Sequence, residues 1–217
     1  MNDATKNFVT ELRARSEVLG VILFGSWARG NNRPGSDVDL VVILTEGYQR
    51  TVERHEGQVF EIIYTTEKGA LDFWATHLDD AAGLWEVAKT LYDKDEVVVR
   101  LRERAQELLT KGKGAINDLQ KAQLRFDAED VFGYVESIHE TDRTTANLML
   151  ANKVFALTEL FFDLRQEWTP APKQRLAIIA DRSKPFHSLL SDFYDTHTEF
   201  AEKISLVRQM VPIVFGN

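Results

Sequence analysis

Apolar residues change their spacing partway along this chain. In residues 1–95 short continuous apolar runs alternate with helical spacing. Phe8, Val9 and Leu12 share one side of a helix predicted over Thr5–Ser16. Val21–Phe24, Asp37–Leu44 and Val59–Tyr64 are short, bulky and bounded by polar or turn residues, which predicts strands. Leu71, Trp74 and Leu78 predict a helix over Ala70–Leu78 with Trp74 in the core, and Val87–Tyr92 predicts a last strand before Asp93-Lys94-Asp95. Beyond Arg100 strand patterning is scarce. Leu101–Leu109, Val131–Ile138, Leu148–Leu164 and Leu189–Met210 carry apolar residues at three- and four-residue spacing, and Lys111-Gly112-Lys113-Gly114 predicts a break between helices. The expected fold class is α+β. An N-terminal α/β domain with a small mixed sheet (1–95) precedes a C-terminal all-α bundle of about five helices (96–217).

Composition narrows the picture. At 44% hydrophobic and 10% aromatic residues, the 217-residue chain has ample material for packed cores. There is no cysteine, which rules out disulfides, thiol catalysis and thiolate metal sites. No apolar stretch approaches the ~20 residues needed to span a bilayer. The N-terminus lacks a signal-peptide core, so a cytoplasmic location is expected. The net charge is −8, with 10 basic against 15 acidic residues over 1–94 and 16 against 19 afterwards. Both halves are acidic, which disfavours a nucleic-acid channel and favours a small, even cationic, substrate.

The chemistry concentrates in Gly25–Leu40, GSWARGNNRPGSDVDL. An apolar strand ends at Gly25-Ser26, where glycine permits close backbone approach and serine supplies a hydroxyl. A short helix is predicted to open at Trp27, its free N–H groups facing the turn, with phosphate the natural occupant. Asp37 and Asp39 open the next strand. Alternation puts both carboxylates on one face and Val38 on the other. Two such carboxylates repel one another and resist desolvation, and a hard divalent cation, Mg²⁺ where phosphates share the site, removes both problems. No GxxxxGK[ST] or GxGxxG sequence competes with this assignment.

The combination of strand, Gly25-Ser26, Arg29-Gly30, the Pro34-Gly35 loop and Ser36-Asp37-Val38-Asp39 resembles the signature of the DNA polymerase β-like nucleotidyltransferase superfamily. Twelve positions separate Gly25 from Asp37, as that pattern requires. The run Phe161-Phe162-Asp163-Leu164, continuing as Trp168-Thr169-Pro170-Ala171-Pro172-Lys173, looks like part of the helical domain of kanamycin nucleotidyltransferase-like proteins. The strong part of the likeness covers Gly25–Leu44, and the architectural part covers most of the chain.

The resemblance implies attack by a hydroxyl on the α-phosphate of a nucleotide, with release of pyrophosphate. It makes Asp37 and Asp39 metal ligands, with two Mg²⁺ ions expected about 3.5–4 Å apart, and assigns Gly25 and Ser26 to triphosphate binding. Arg29 is either a phosphate ligand or a solvated arginine at a helix start. A third carboxylate is expected on a neighbouring strand, and Glu61, within Val59-Phe60-Glu61-Ile62-Ile63, is the candidate. It would be a metal ligand or general base, with a solvent-facing edge-strand residue as the alternative. Glu53, His55 and Glu56 read as a solvated polar connection. Glu136, His139 and Glu140 read as an exposed helix face or, less simply, an acidic cleft wall, and Lys173 as an exposed lysine or, less simply, a further phosphate contact.

The implied activity is transfer of a nucleoside monophosphate, AMP from ATP or another NTP, to a hydroxyl of a small, aminoglycoside-like acceptor. The competing reading is a protein-directed adenylyltransferase or antitoxin-like component. A catalytically silent module fits the intact Gly25, Ser26, Asp37 and Asp39 least well. The partners expected are a nucleoside triphosphate and a small-molecule acceptor, without membrane or nucleic acid. A homodimer is compatible with all of this.

Overall fold

The computed structural model describes residues 2–216. Helix α1 (Asp3–Arg13) leads into β1 (Val18–Phe24), the one-turn α2 (Gly25–Arg29) and β2 (Val38–Leu44). A hairpin of β3 (Gln49–His55) and β4 (Gln58–Thr66) follows, then α3 (Glu67–Thr76), α4 (Leu78–Trp85), β5 (Lys89–Asp93) and α5 (Val97–Thr110). The five strands form one sheet in the order β3-β4-β2-β1-β5. β2 and β4 run parallel and the other neighbours antiparallel, so the sheet is mixed, as the sequence predicts.

The central strands read as continuous apolar runs because both sheet faces are covered. On one face Phe8, Val9 and Leu12 of α1 pack with Val21, Leu23, Leu40, Val42 and Ile62. On the other, α3, α4 and α5 bury Trp74, Trp85, Val98 and Leu101 against Ile22, Val41 and Ile43. Trp74 is 3% exposed and meets the Trp85 ring edge-on at 5.3 Å, a core role as predicted. Fully burying each large apolar side chain contributes about 1.5–3 kcal/mol.

Three elements differ from the sequence expectation. β3 takes in Glu53 and His55, which the sequence assigned with Glu56 to a solvated polar connection. Its hairpin turn is Glu56-Gly57, both at positive φ (48° and 81°), the two-residue turn that matches strand twist. Within it His55 tilts against Phe8 at 5.2 Å, and Glu53 accepts from the Tyr64 hydroxyl at 3.3 Å, so neither is simply solvated. The helix predicted over Ala70–Leu78 is two, α3 and α4, separated at His77. The third concerns α5, which packs on the sheet face that carries Ile22, Val41 and Ile43. The absence of a side chain at Gly20 lets it close in, since a Cβ there would lie 2.6 Å from Val98 Cγ2. One compact unit therefore runs to Lys111 and a second begins at Gly112, in place of a boundary at 95/96.

The second unit contains α6 (Asp118–Ile138), α7 (Arg143–Asp163), α8 (Pro172–Arg182), α9 (Lys184–Tyr194) and α10 (Phe200–Phe215). Its core includes Phe132, Leu150, Leu157, Phe161, Phe186 and Val207. The Leu189–Met210 pattern is shared by α9 and α10, with a turn between Tyr194 and Phe200. Pro172 opens α8 at its first turn, where a missing N–H costs nothing.

Candidate active site

The site is assembled where β1, β2 and β4 lie side by side. Asp39 is in register with Phe24 on one side and Glu61 on the other. Parallel neighbours in register point the same way, so Asp39 and Glu61 stand together on the sheet face that carries Val41, Ile43 and Ile63. Asp37, the residue before β2, completes the group. Carboxylate oxygens of Asp37, Asp39 and Glu61 all lie within 4.8 Å of one another. Asp37 is exposed and the other two are half-buried. Three carboxylates at this spacing form a hard-oxygen donor set suited to Mg²⁺ or Mn²⁺.

Gly25 is built against this group. Its φ is +67°, and a Cβ added there would sit 1.8 Å from Asp39 Oδ2. Only glycine leaves room for the carboxylate. The absent side chain at Gly25 thus makes room for Asp39. α2 begins at Gly25 itself, two residues before the predicted start, and ends at Gly30, whose N–H donates to the Ser26 carbonyl at 3.0 Å. Ser26 is half-buried in its first turn.

The loop from Gly30 to Asp37 is fixed through the Ser36 carbonyl. Trp27 Nε1 donates to it at 3.3 Å and Gln58 Nε2 at 2.9 Å. These bonds hold the chain immediately before Asp37, a function that nothing in the apolar pattern reveals. Arg29 is half-buried, and its guanidinium donates to the Gly83 carbonyl of α4 at 3.3 Å, tying α2 to α4.

Glu61 is not on an edge strand. β4 lies between β2 and β3, and β3 is the edge. The sequence poses an acid among apolar neighbours that needs a metal, a cation or water, and the structure supplies a cation. Arg50 of β3 donates from Nε to Glu61 Oε1 at 2.9 Å and from NH2 to the same oxygen. This hydrogen bonding and the negative charge of Glu61 raise the Arg50 pKa further above its ordinary value. Arg50 was not anticipated from the sequence, because β3 itself was not.

The remaining candidates lie in the second unit. Glu136 pairs with Arg208 of α10 at 2.6 Å, and the His139 ring stacks on Phe200 with centroids 3.6 Å apart, so these two are engaged within the bundle. Glu140 and Lys173 are exposed.

Comparison with known proteins agrees with the fold. The chain aligns with a solved nucleotidyltransferase-like protein from Exiguobacterium sibiricum 255-15, with a TM-score of 0.51 and 12% identity over 98% of this chain and 73% of that one. No curated protein sequence matches significantly. The family described as "Nucleotidyltransferase domain" matches residues 5–127, a span containing Gly25, Ser26, Asp37, Asp39 and Glu61. The chain belongs to the nucleotidyltransferase domain family, in its DNA polymerase β-like branch.

Proposed function

We propose that this nucleotidyltransferase uses Mg²⁺ to move a nucleoside monophosphate, AMP from ATP, onto a hydroxyl of a small acceptor, releasing pyrophosphate. The observation that carries the reading is the Asp37–Asp39–Glu61 cluster, with Gly25 shaped around one of its carboxylates. The donor chemistry fits divalent magnesium, which when bound supplies charge stabilisation to the attacking and leaving oxygens.

The chain's own residues do the positioning. Asp37 and Asp39 hold cation charge beside the Gly25-Ser26 turn, where the triphosphate is proposed to lie. The Ser26 hydroxyl and backbone N–H groups of that turn are its hydrogen-bond donors. Arg29 is a further phosphate candidate, at the cost of its bond to the Gly83 carbonyl. Glu61 either completes the cation site or accepts the proton from the attacking hydroxyl. In phosphoryl transfer such positioning and charge stabilisation are nearly the whole of the protein's task. The net charge of −8 is compatible with a cationic acceptor, and the aminoglycoside class is proposed from the resemblance to kanamycin nucleotidyltransferase-like proteins.

The test is incubation with Mg²⁺ and each labelled NTP in turn, followed by separation of small-molecule and protein pools. Label from ATP in the small-molecule pool supports the proposal. Label on protein would move the acceptor to a partner protein, and label from another NTP would correct the nucleotide. Glu61→Gln should lower turnover at least ~10²-fold, the usual contribution of a general base or more. A lost acidic limb in the pH–rate profile would identify the base, and a raised Mg²⁺ requirement the ligand.

A further inference from the structure

The Arg50–Glu61 pair has a geometry suited to more than neutralising a buried acid. Both guanidinium donors converge on one oxygen, Oε1, and among the described residues no donor reaches Oε2. The three carboxylates already lie within 4.8 Å of one another with this pair in place, so the ion pair and the ligand cluster coexist. Arg50 comes from the edge strand β3, diagonally across from Glu61, since it is Val52 that stands directly opposite. It is an exposed residue, with 64% of its side chain accessible.

We infer that Arg50 is a positioning residue: it anchors Glu61 through Oε1 so that Oε2 is presented to a divalent cation held with Asp37 and Asp39. This rests on the metal reading of the cluster given above. The physical argument is orientational. A glutamate has three rotatable side-chain bonds, and this one is partly open to solvent, so an unanchored Glu61 would spread over several rotamers. Two guanidinium nitrogens on the same oxygen pin Oε1 from a planar, preorganised fork, which cuts the rotamers open to Glu61 more than a lysine ammonium would. Groups that orient metal ligands in this way typically affect metal affinity about 10–100-fold. The opposing effect is the positive charge of Arg50, which repels the cation. Its exposure to solvent screens that repulsion, so orientation prevails.

The test is Mn²⁺ binding to the full chain, followed by electron paramagnetic resonance or calorimetry, in wild type, Arg50→Gln, Glu61→Gln, the double variant and Asp39→Asn. Circular dichroism checks the fold, which an exposed edge-strand substitution should leave intact. Arg50→Gln should weaken Mn²⁺ about tenfold and should add nothing in the Glu61→Gln background. Unchanged or tighter binding in Arg50→Gln, or an equal further loss when Glu61 is already gone, overturns the inference. Asp39→Asn separates the two levels of the argument. If it binds Mn²⁺ like wild type, the cluster is not the metal site. If it loses Mn²⁺ while Arg50→Gln does not, only the role of Arg50 fails.

Discussion

At the scale of single residues, the site is a balance of repulsion and close packing. Asp37, Asp39 and Glu61 place three carboxylates within 4.8 Å, an arrangement whose mutual repulsion costs stability unless a cation is shared. Asp37→Asn and Asp39→Asn should therefore abolish nucleotidyl transfer while thermal melting without metal stays unchanged or rises. A variant that transfers nucleotide at near wild-type rate would remove its residue from the metal site. Gly25 presents the opposite case, since it tolerates no side chain. Gly25→Ala must hold φ near +67° and displace the Asp39 carboxylate. Strain of this kind costs of order 1–3 kcal/mol, so the variant should melt earlier and bind Mn²⁺ more weakly. An alanine variant with wild-type melting and Mn²⁺ affinity would show that Asp39 can shift freely.

At the scale of elements, helix ends and hairpins decide what the site rests on. α5 begins after Glu96, a left-handed residue whose side chain makes no capping bond. Asp93, at the end of β5, does the work instead, accepting from the Val98 N–H at 2.9 Å and the Val99 N–H at 3.2 Å. The acid at this helix start also opposes the positive end of the helix dipole. Asp93→Ala should cost about 0.5–2 kcal/mol, the usual loss for a capping side chain. Chemical denaturation would measure it, and hydrogen exchange should locate the change in the first turn of α5. The β3–β4 hairpin matters for a different reason. Its Glu56-Gly57 turn delivers Arg50 to Glu61 and brings Gln58 to the Ser36 carbonyl. One short polar strand thus contributes to both the third carboxylate and the loop before Asp37.

At the scale of the whole molecule, each unit has a core of its own. The clusters on the two sheet faces are built from residues up to Leu109, and the helical cluster from Leu124 onward. All three carboxylates, Gly25, Ser26 and Arg50 belong to the first unit. A fragment ending at Lys111 should therefore fold cooperatively and retain Mn²⁺ affinity. Transfer by that fragment should fall if the helical unit contributes to acceptor binding. Retained transfer to the full chain's acceptor would place acceptor binding in the first unit. Among the described residues no helix is long and apolar enough to cross a membrane.

The sequence by itself determined whatever depends on local order and strong apolar pattern. The central strands, the Gly25-Ser26 turn and the Asp37/Asp39 pair were legible because buried strands are continuous apolar runs and because both motifs lie within one short stretch of chain. Glu61 was legible as an anomaly, an acid among β-forming apolar neighbours. Tertiary structure decided the rest. β3, Gln49–His55, is an exposed, polar edge strand with no hydrophobic signature, and only its pairing with β4 makes it a strand. The Glu56-Gly57 turn was its one local sign. Arg50 therefore reaches Glu61 across eleven positions of sequence through a register no periodicity encodes. Gly25 and Asp39 likewise meet only because β1 and β2 pair, which makes the space at one residue the property of another. The place of α5 followed the same logic. Its amphipathic pattern would suit either unit, and the bare surface at Gly20 assigned it to the sheet.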